Sequence, residues 1–159
     1  LTGNTLDLYP EPLRDDIDRW NDRIYPAVNN GVYRAGFATT QDAYEEAYGE
    51  LFAALDEIDA HLAQHRYLCG DTLTEADIRL VTTLIRFDAV YHGHFKCNRQ
   101  RIEDFSALPG YVRDIYQLPG VAATVDFHHI KTHYYASHKT INPTGVVPVG
   151  PDIDYGKPA

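Results

Sequence analysis

Residues 68–81 read Leu-Cys-Gly-Asp-Thr-Leu-Thr-Glu-Ala-Asp-Ile-Arg-Leu-Val, which is a glycine-containing turn followed by the start of a helix. Thr74 stands at the N-cap and Asp77 three residues later, the spacing of a capping box with Asp in place of Glu or Gln. Leu73 and Ile78 occupy the positions at which a hydrophobic staple fixes how the chain enters the helix. We expect the Asp77 carboxylate to bond a backbone N–H at its own helix start, so its predicted role is structural.

Two long helices are predicted on either side of this turn. The helix that begins after Thr74 carries apolar residues around most of its circumference, which is typical of a helix buried among others. Those residues are Ile78, Leu80, Val81, Leu84, Ile85, Phe87, Ala89 and Val90. Before the turn, Thr39–His65 has apolar residues at every third or fourth position and acidic residues opposite, as an amphipathic helix does. Gly49 costs that helix roughly 1 kcal/mol relative to Ala, so a close helix crossing is expected there.

The chain before residue 39 is predicted to hold a helix followed by a break. Residues from Pro12 to Asn29 carry an apolar residue at every third or fourth position. Pro26 is expected to kink or end this helix, because proline lacks the N–H that a helix needs. Asn29-Asn30-Gly31 is a break signal, and Gly36 is expected to mark another loop.

The chain after residue 107 is predicted to hold two helices and a tail. Leu108-Pro109-Gly110 and Leu118-Pro119-Gly120 both suit helix starts, because proline fits the first helical position. A last helix is predicted from about Val121 to Ser137. Beyond residue 141, repeated proline and glycine predict an extended tail, in which Val146-Val147 is expected to pack on the domain.

Composition agrees with one all-α domain over residues 1–159. No segment shows the alternation of a strand, so the predicted fold is a helical bundle with an extended C-terminal tail. A chain of 159 residues with 44% hydrophobic residues suffices for one core. The net charge of −9 disfavours nucleic acid as a partner. No apolar run approaches the roughly 20 residues that span a membrane, and no leader pattern opens the chain, so we expect a cytoplasmic protein.

Few side chains have the pattern of a catalytic nucleophile. Ser106 and Ser137 are the only serines, and neither lies in a nucleophile-elbow motif. Cys69 and Cys97 are too few for a disulfide framework. Each would react only if its neighbours lowered the pKa of the thiol. Basic residues flank Cys97, but packing is the favoured role for both cysteines.

Histidines offer the main alternative chemistry. His129 and His133 are four residues apart on the last predicted helix and share a face, while His92 and His94 come shortly before Cys97. A metal site needs two or three such side chains to converge. The His-Glu-x-x-His motif is missing. We therefore favour polar packing for these histidines and expect no metal.

Tyrosine is the unusual residue, with 12 tyrosines against six phenylalanines and one tryptophan. A phenol packs against flat aromatic ligands and also donates a hydrogen bond. Tyr25 and Tyr33 flank the predicted break, and Tyr134-Tyr135 end the histidine-rich helix, which are places where sites collect. By residue type alone, a core tyrosine with a bonded hydroxyl is the commoner role for each of them.

The start of the central helix resembles the motif G-x-x-x-[ST]-x-A-D of the C-terminal domains of glutathione transferases. Its residues here are Gly70, Thr74, Ala76 and Asp77. Longer motifs resemble one class of that superfamily, the Xi class or glutathionyl-hydroquinone reductases. They are Asn29–Ala38, Arg86–Tyr91, Gly93–Asn98, His133–Tyr135 with Ser137–His138, and Ile141–Pro151. Several motifs in the right order over most of the chain are more specific than the cap alone.

The resemblance implies an enzyme that reduces glutathionyl-hydroquinones with a second glutathione, releasing hydroquinone and oxidised glutathione. It implies an upstream thioredoxin-like domain, absent from this chain, that supplies the catalytic cysteine and binds most of the glutathione. Neither Cys69 nor Cys97 matches that cysteine, so the chain is expected to hold no catalytic residue and to be inactive alone. By motif match, Tyr33 and Tyr134 are expected to contact the hydroquinone. A homodimer through the helical domains is also implied.

Two other functions stay open. The chain could be a non-catalytic glutathione-transferase-like module for scaffolding or dimerisation, or a helical domain that binds a metal or ligand through His129 and His133. The retained Tyr33 and Tyr134 favour the enzyme, because reductive cleavage leaves a phenolic group that gains negative charge. A preorganised tyrosine hydroxyl can stabilise or protonate such a group.

Overall fold

The computed structural model describes residues 6–159, and within this range the protein is helical without a β-strand, which confirms the predicted fold class. Two isolated antiparallel bridges, Tyr67–Gly70 and Cys69–Thr72, close the turn before the central helix. The α-helices are α1 (Arg14–Ile24), α2 (Asn30–Gly36), α3 (Gln41–Leu62), α4 (Glu75–Arg86), α5 (His92–His94), α6 (Leu108–Tyr116) and α7 (Phe127–Ser137). Shorter pieces are 3₁₀-helices at Glu11–Leu13, Ile102–Asp104 and Ala122–Thr124, and π-helices at Tyr25–Asn29 and Phe87–Tyr91.

Helix α4 and the π-helix that follows it form the centre of the domain, as the sequence predicts. Leu80, Leu84, Phe87 and Val90 are each no more than 1% exposed. Helices α1 and α6 pack against α4, and α7 packs against the π-helix. Among residues 6–159, every helix is too short or too polar to cross a membrane.

The predicted break at Asn29-Asn30-Gly31 is wrong, because α1 continues through a π-helix directly into α2. Pro26 lies in that π-helix, whose irregular turn accommodates a residue without an N–H. The Asn29 side-chain amide donates to α4, to the Arg79 carbonyl oxygen at 3.0 Å and to the Thr83 hydroxyl at 2.6 Å. Because these bonds join Asn29 to another helix, its side chain does not make the local turn that the pattern predicts.

The close helix crossing expected at Gly49 is also absent. A Cβ added at Gly49 meets no atom within 4 Å, so this glycine lies on the open face of α3. The close approach occurs instead at Gly36, the last residue of α2, where a Cβ would lie 2.3 Å from the Phe95 ring. Gly36 therefore ends a helix against an aromatic side chain rather than marking a flexible loop.

The start of α4 is organised around the fully buried Asp77. Its Oδ2 accepts hydrogen bonds from the Thr74 backbone N–H at 2.8 Å and the Thr74 hydroxyl at 3.0 Å. Its Oδ1 accepts from the Leu68 N–H at 2.9 Å and from the Tyr111 hydroxyl at 3.0 Å. Thr74 and Asp77 are thus the two members of a capping box. Ile78, one half of the predicted staple, is 37% exposed and lies at the surface.

The last helix begins later than the sequence pattern predicts. Helix α7 starts at Phe127, after Asp126 has capped it by accepting a backbone N–H of the first turn at 2.9 Å. Leu118-Pro119-Gly120 forms a turn instead of a helix start, and Gly120 adopts a φ of 87° that glycine tolerates best. Pro109, in the matching tripeptide, does lie in the first turn of α6.

The C-terminal tail packs through residues other than the predicted valines. Val146 is 69% exposed and Val147 is partly buried. The anchor is the buried Tyr155, whose ring stacks on Phe127 with centroids 5.3 Å apart. The Gln117 side-chain amide donates to the Tyr155 carbonyl oxygen at 2.8 Å. An aromatic stack and a side-chain-to-backbone hydrogen bond therefore hold the tail on α7 and on the end of α6.

Candidate functional site

Three phenol hydroxyls meet at one place in the bundle. The Tyr134 Oη on α7 lies 2.6 Å from the Tyr33 Oη on α2 and 2.8 Å from the Tyr91 Oη on the π-helix. We call these three residues the tyrosine cluster. Tyr91 and Tyr134 are 2% and 7% exposed, whereas Tyr33 is 39% exposed. The cluster therefore runs from the core to the surface.

The local sequence explains how Tyr91 reaches the cluster. Phe87, Tyr91 and Phe95 follow one another at intervals of four residues. Their rings contact in series, with centroids 6.3 Å apart for Phe87–Tyr91 and 5.4 Å apart for Tyr91–Phe95. Lys96, with a φ of 60°, follows directly, and the Tyr44 hydroxyl donates to its carbonyl oxygen at 2.6 Å. These contacts fix the position of Phe95 relative to Tyr91.

Phe95 forms the floor under the cluster. Its fully buried ring lies 5.3 Å from the Tyr33 ring and 6.1 Å from the Tyr134 ring, centroid to centroid. Gly36 makes this arrangement possible, because a side chain at position 36 would collide with Phe95. The position of the outermost tyrosine thus depends on a glycine and a phenylalanine that lie far apart in the chain.

An aromatic surface continues from Tyr33 along the outside of the molecule. Phe37 is 45% exposed, and its ring lies 5.1 Å from the ring of His138. The His138 ring in turn lies 5.5 Å from the Tyr134 ring. Flat side chains can pack against the ring of an aromatic ligand, while a neighbouring phenol hydroxyl forms a hydrogen bond with an oxygen on that ring.

Burial keeps the inner hydroxyls protonated. Burial raises the pKa of Tyr134 to about 12, with the hydrogen bond to Tyr33 acting in the same direction and the bond from Tyr91 opposing it. Burial also raises the pKa of Tyr91 far above its ordinary range, and its hydrogen bond to Tyr134 adds to the rise. At neutral pH both side chains are therefore phenols that can donate a proton in a hydrogen bond.

Neither cysteine has the surroundings of a nucleophile. Cys97 is fully buried, and burial raises the pKa of its thiol to about 12. Cys69 is partly buried, and burial raises the pKa of its thiol too, while the Thr74 hydroxyl 3.9 Å from its sulfur opposes the rise. Because the thiolate is the reactive form, both thiols have the character of packing residues.

The histidines divide between the surface and the edge of the aromatic cluster. His129 and His133 are exposed on α7. The buried His94 places its Nε2 3.1 Å from the Nδ1 of His138. Burial and the charge of His138 lower the pKa of His94 to about 4. Across residues 6–159, no group of three His, Cys, Asp or Glu side chains is placed to hold a metal ion.

A separate apolar groove lies between α4, α6 and α7. Its volume is about 340 Å³, and the exposed Ile78 is part of its wall. Other apolar residues of the wall are Val81, Ile85, Ile115 and Ile130. None of the three clustered tyrosines lines this groove. The molecule therefore offers two distinct surfaces, an apolar groove and an aromatic surface with hydroxyls.

Comparison with known proteins decides the family. The model of the glutathione S-transferase C-terminal domain matches residues 41–114. The glutathionyl-hydroquinone reductase YqjG of Escherichia coli K12 is 57% identical over 158 residues, which are 99% of this chain and 48% of that protein. The chain belongs to the glutathione transferases, as their C-terminal domain.

Solved structures show the same glutathione transferase domain. The glutathione-bound structure of YqjG matches with a TM-score of 0.96 and 56% identity, over 98% of this chain and 50% of that one. The Xi class enzyme of Natrialba magadii matches with a TM-score of 0.96 and 54% identity, over 98% and 48%. The glutathionyl-hydroquinone reductase PcpF of Sphingobium chlorophenolicum is 57% identical over 145 residues, 91% of this chain and 46% of that protein. The chain thus spans about half the length of the relatives it matches.

The structure brings together Tyr33 and Tyr134, the two tyrosines that the motif resemblance leads us to expect at the site. Tyr33 and Tyr134 are 101 residues apart in the chain, yet their hydroxyls touch. Tyr25 and Tyr135 lie outside the cluster. Tyr25 is 52% exposed beneath the guanidinium of Arg79, and Tyr135 packs its ring against His94.

Sequence reasoning missed Tyr91 and Phe95 as members of the site. Both lie inside motifs that resemble the Xi class, but the motifs say nothing about which residues face a ligand. The regular spacing of Phe87, Tyr91 and Phe95 was a usable signal, because residues four apart share a helix face. The partner of that face, Tyr134, lies 43 residues beyond Tyr91 and could not be located from spacing.

Proposed function

We propose that this glutathione transferase domain is the substrate-facing half of an enzyme that reduces glutathionyl-hydroquinones to hydroquinones. The observation that carries the proposal is the hydroxyl contact of Tyr33 and Tyr134, with the exposed ring of Phe37 linked to Tyr134 through the His138 ring. An aromatic ring with an oxygen substituent fits such a surface, since it can stack and accept a hydrogen bond together. Two relatives that are 57% identical are glutathionyl-hydroquinone reductases, which supports the same substrate class.

We place the reactive thiol outside this chain. The relatives are about twice as long, and the high pKa values of Cys69 and Cys97 suit packing better than attack on sulfur. A thioredoxin-like domain preceding this chain would supply the cysteine and most of the glutathione site. The glutathione-bound structure of YqjG supports glutathione as the co-substrate.

The proposed reaction balances with glutathione as the reductant. The carbon–sulfur bond of the substrate breaks, and a disulfide forms between the two glutathione sulfurs. In the keto tautomer of the substrate, one hydroxyl proton has moved to the sulfur-bearing ring carbon, so the electron pair of the breaking carbon–sulfur bond becomes negative charge on the ring oxygen. The thiol proton of the incoming glutathione then neutralises that oxygen, which gives hydroquinone and oxidised glutathione. A preorganised hydroxyl such as that of Tyr33 stabilises this charge by donating a hydrogen bond.

Assembly and location belong to the same proposal. We propose a homodimer formed through the helical domains and a cytoplasmic location, both from the resemblance to the Xi class. Sedimentation velocity over a range of protein concentrations tests the dimer. A single species with the mass of one chain at all concentrations contradicts it.

The competing function is a scaffolding module without catalysis. Its specific support is the apolar groove between α4, α6 and α7, in which the exposed Ile78 offers a surface for another protein. A scaffold has no need of the tyrosine hydroxyls. The two functions therefore differ in their prediction: removal of a tyrosine hydroxyl impairs the enzyme but leaves the scaffold unaffected.

Turnover of a glutathionyl-hydroquinone with glutathione tests the proposal. In the enzyme that joins this chain to its preceding half, Tyr33→Phe and Tyr134→Phe should each lower kcat/KM by about a hundredfold, the usual effect of losing one donor to a developing oxyanion. The matched control is Tyr155→Phe, which removes a buried phenol hydroxyl in the tail and should leave kcat/KM unchanged. The 159-residue chain alone should give no turnover. Absence of turnover by the joined protein favours the scaffold, unchanged kcat/KM in both site variants refutes the role of the tyrosines, and turnover by the chain alone refutes an external thiol.

A further inference from the structure

Tyr91 lies behind the two tyrosines that the proposed function uses. It is 2% exposed, and its hydroxyl lies 2.8 Å from that of Tyr134. Tyr91 ends the π-helix that continues α4. The rings of Phe87 and Phe95 contact its ring, so the ring has little freedom to move. The proposed function gives Tyr91 no direct contact with a ligand, which leaves its hydroxyl without an assigned role.

The proton count of the cluster gives the hydroxyls a direction. Each phenol carries one proton, and a buried donor without an acceptor costs about 1–3 kcal/mol. Among the described residues, Tyr134 supplies the one acceptor at hydrogen-bond distance from the Tyr91 hydroxyl, so we assign Tyr91 as the donor to Tyr134. Tyr134 then donates its own proton to the hydroxyl oxygen of its second close neighbour, Tyr33, 2.6 Å away. Tyr33 accepts that bond, which leaves its own proton for water or a ligand on the exposed side of this partly exposed residue.

The pKa shifts of Tyr134 have the directions expected for this arrangement. Accepting a bond from Tyr91 favours the phenolate and lowers the pKa of Tyr134, whereas donating a bond to Tyr33 favours the phenol and raises it. Burial is the larger effect on both inner hydroxyls and keeps their protons in place. Hydrogen bonds in such a chain also polarise one another, which strengthens the last donor.

We propose that Tyr91 is a positioning residue that orients the hydroxyl chain so that Tyr33 presents a hydrogen-bond donor to the ligand. This inference rests on the proposed function and deepens it. A site that presents a donor favours a ligand oxygen that has only lone pairs, such as a quinone carbonyl or a phenolate. It favours a protonated hydroxyl less, because that hydroxyl can itself serve as the donor.

Two probes with one ring skeleton test the inference. Duroquinone offers two carbonyl acceptors, its ring is fully methylated, and its hydroquinone form also carries donors. Anaerobic titration calorimetry on the chain should show that Tyr91→Phe weakens duroquinone binding by about threefold to tenfold, the worth of one hydrogen bond. Binding of the hydroquinone should change by less than about twofold, since its own proton can bond the Tyr33 oxygen. A purely structural defect would weaken the binding of both probes by the same factor.

The control and a measurement without ligand complete the test. Tyr155→Phe, another buried phenol, should leave both affinities unchanged. Isotope-edited infrared spectra of labelled tyrosine, assigned with Tyr33→Phe, should show that Tyr91→Phe changes the C–O band of Tyr33. An unchanged Tyr33 band, or equal loss for both probes, overturns the role of Tyr91. If the native chain binds neither probe, the proposed function fails, and the infrared result still decides the direction of the chain.

Discussion

Two buried polar clusters of this molecule differ in where their hydrogen bonds end. Around Asp77, the donors from Leu68, Thr74 and Tyr111 all point inward to one carboxylate that is fully buried. Around Tyr134, the bonds run outward to Tyr33, which is 39% exposed. In a closed cluster, all the hydrogen bonds stabilise the fold. In an open cluster, one hydroxyl is left to bind a ligand. The predictions below test this difference from the largest expected effect to the smallest.

The closed cluster should carry the largest stability effect. Asp77→Ala leaves the N–H groups of Leu68 and Thr74 without their acceptor, so we expect a loss of about 3–5 kcal/mol in the free energy of unfolding. Asp71→Ala, at an exposed turn position, is the control and should change it by less than about 0.5 kcal/mol. Chemical denaturation measures both. A loss at Asp77 no larger than the control would show that the closed cluster does not stabilise the fold.

Acid should destabilise the edge of the open cluster through His94. Its pKa in the folded protein is about 4, below the ordinary value of 6.5, because of burial and the charge of His138. The folded state therefore binds this proton less tightly than the unfolded state. The stability contribution is complete above pH 6.5 and is lost as the pH falls toward 4. His61 and His138 are shifted in the same direction, mainly by burial.

Unfolding by denaturant at a series of pH values checks this dependence. His94→Phe keeps a flat ring beside Phe95 and removes the titration, so the decline between pH 6.5 and 4 should become shallower. A decline of the same slope in the variant would show that His94 is not responsible.

Alanine substitutions at two glycines compare the effect of tight packing under the open cluster with the effect of helix propensity alone. Gly36→Ala places a methyl group 2.3 Å from Phe95, so we expect a loss of about 1–3 kcal/mol by overpacking and weaker ligand binding. Gly49→Ala meets no atom within 4 Å on α3 and should raise stability by about 0.5–1 kcal/mol. Thermal unfolding compares the two. Equal effects of the two substitutions would contradict the contact between α2 and Phe95.

The open end of the tyrosine cluster should matter least for the fold. Tyr33→Phe removes a partly exposed hydroxyl, so the free energy of unfolding should change by less than about 0.5 kcal/mol. Tyr134→Phe leaves Tyr91 without its acceptor and should cost about 1–3 kcal/mol. The order of the two losses, measured by denaturation, distinguishes an open cluster from a closed one. A larger loss at Tyr33 would reverse the comparison.

The sequence predicts the closed cluster better than the open one, for a physical reason. The bonds between Thr74 and Asp77 span three residues, so their spacing alone predicts them. The hydroxyls of Tyr33 and Tyr134 meet across 101 residues, and only the resemblance to a family distinguished these two from the other candidate tyrosines. Tyr91 was missed because its partner, Tyr134, lies 43 residues away on another helix.

The wrong predictions have the same origin. A break at Asn29-Asn30-Gly31 is sound by local rules, but the Asn29 side chain bonds to Arg79 and Thr83 on another helix. A close crossing at Gly49 was expected because glycine weakens a helix, yet the tight contact belongs to Gly36 and Phe95. Contacts between distant segments decided each case, and a single sequence contains no direct record of them.

The most direct test of an open tyrosine cluster follows each tyrosine separately during ligand binding. The chain, labelled with carbon-13 at the tyrosine Cζ, is titrated with methylhydroquinone and observed by NMR. We predict that the Tyr33 and Tyr134 resonances move with one common Kd, while Tyr111 at Asp77 and Tyr116 in the apolar groove do not. A change in the chemical shift of Tyr116 alone, or an unchanged shift of Tyr33 at saturation, would contradict the claim that this cluster is the ligand site.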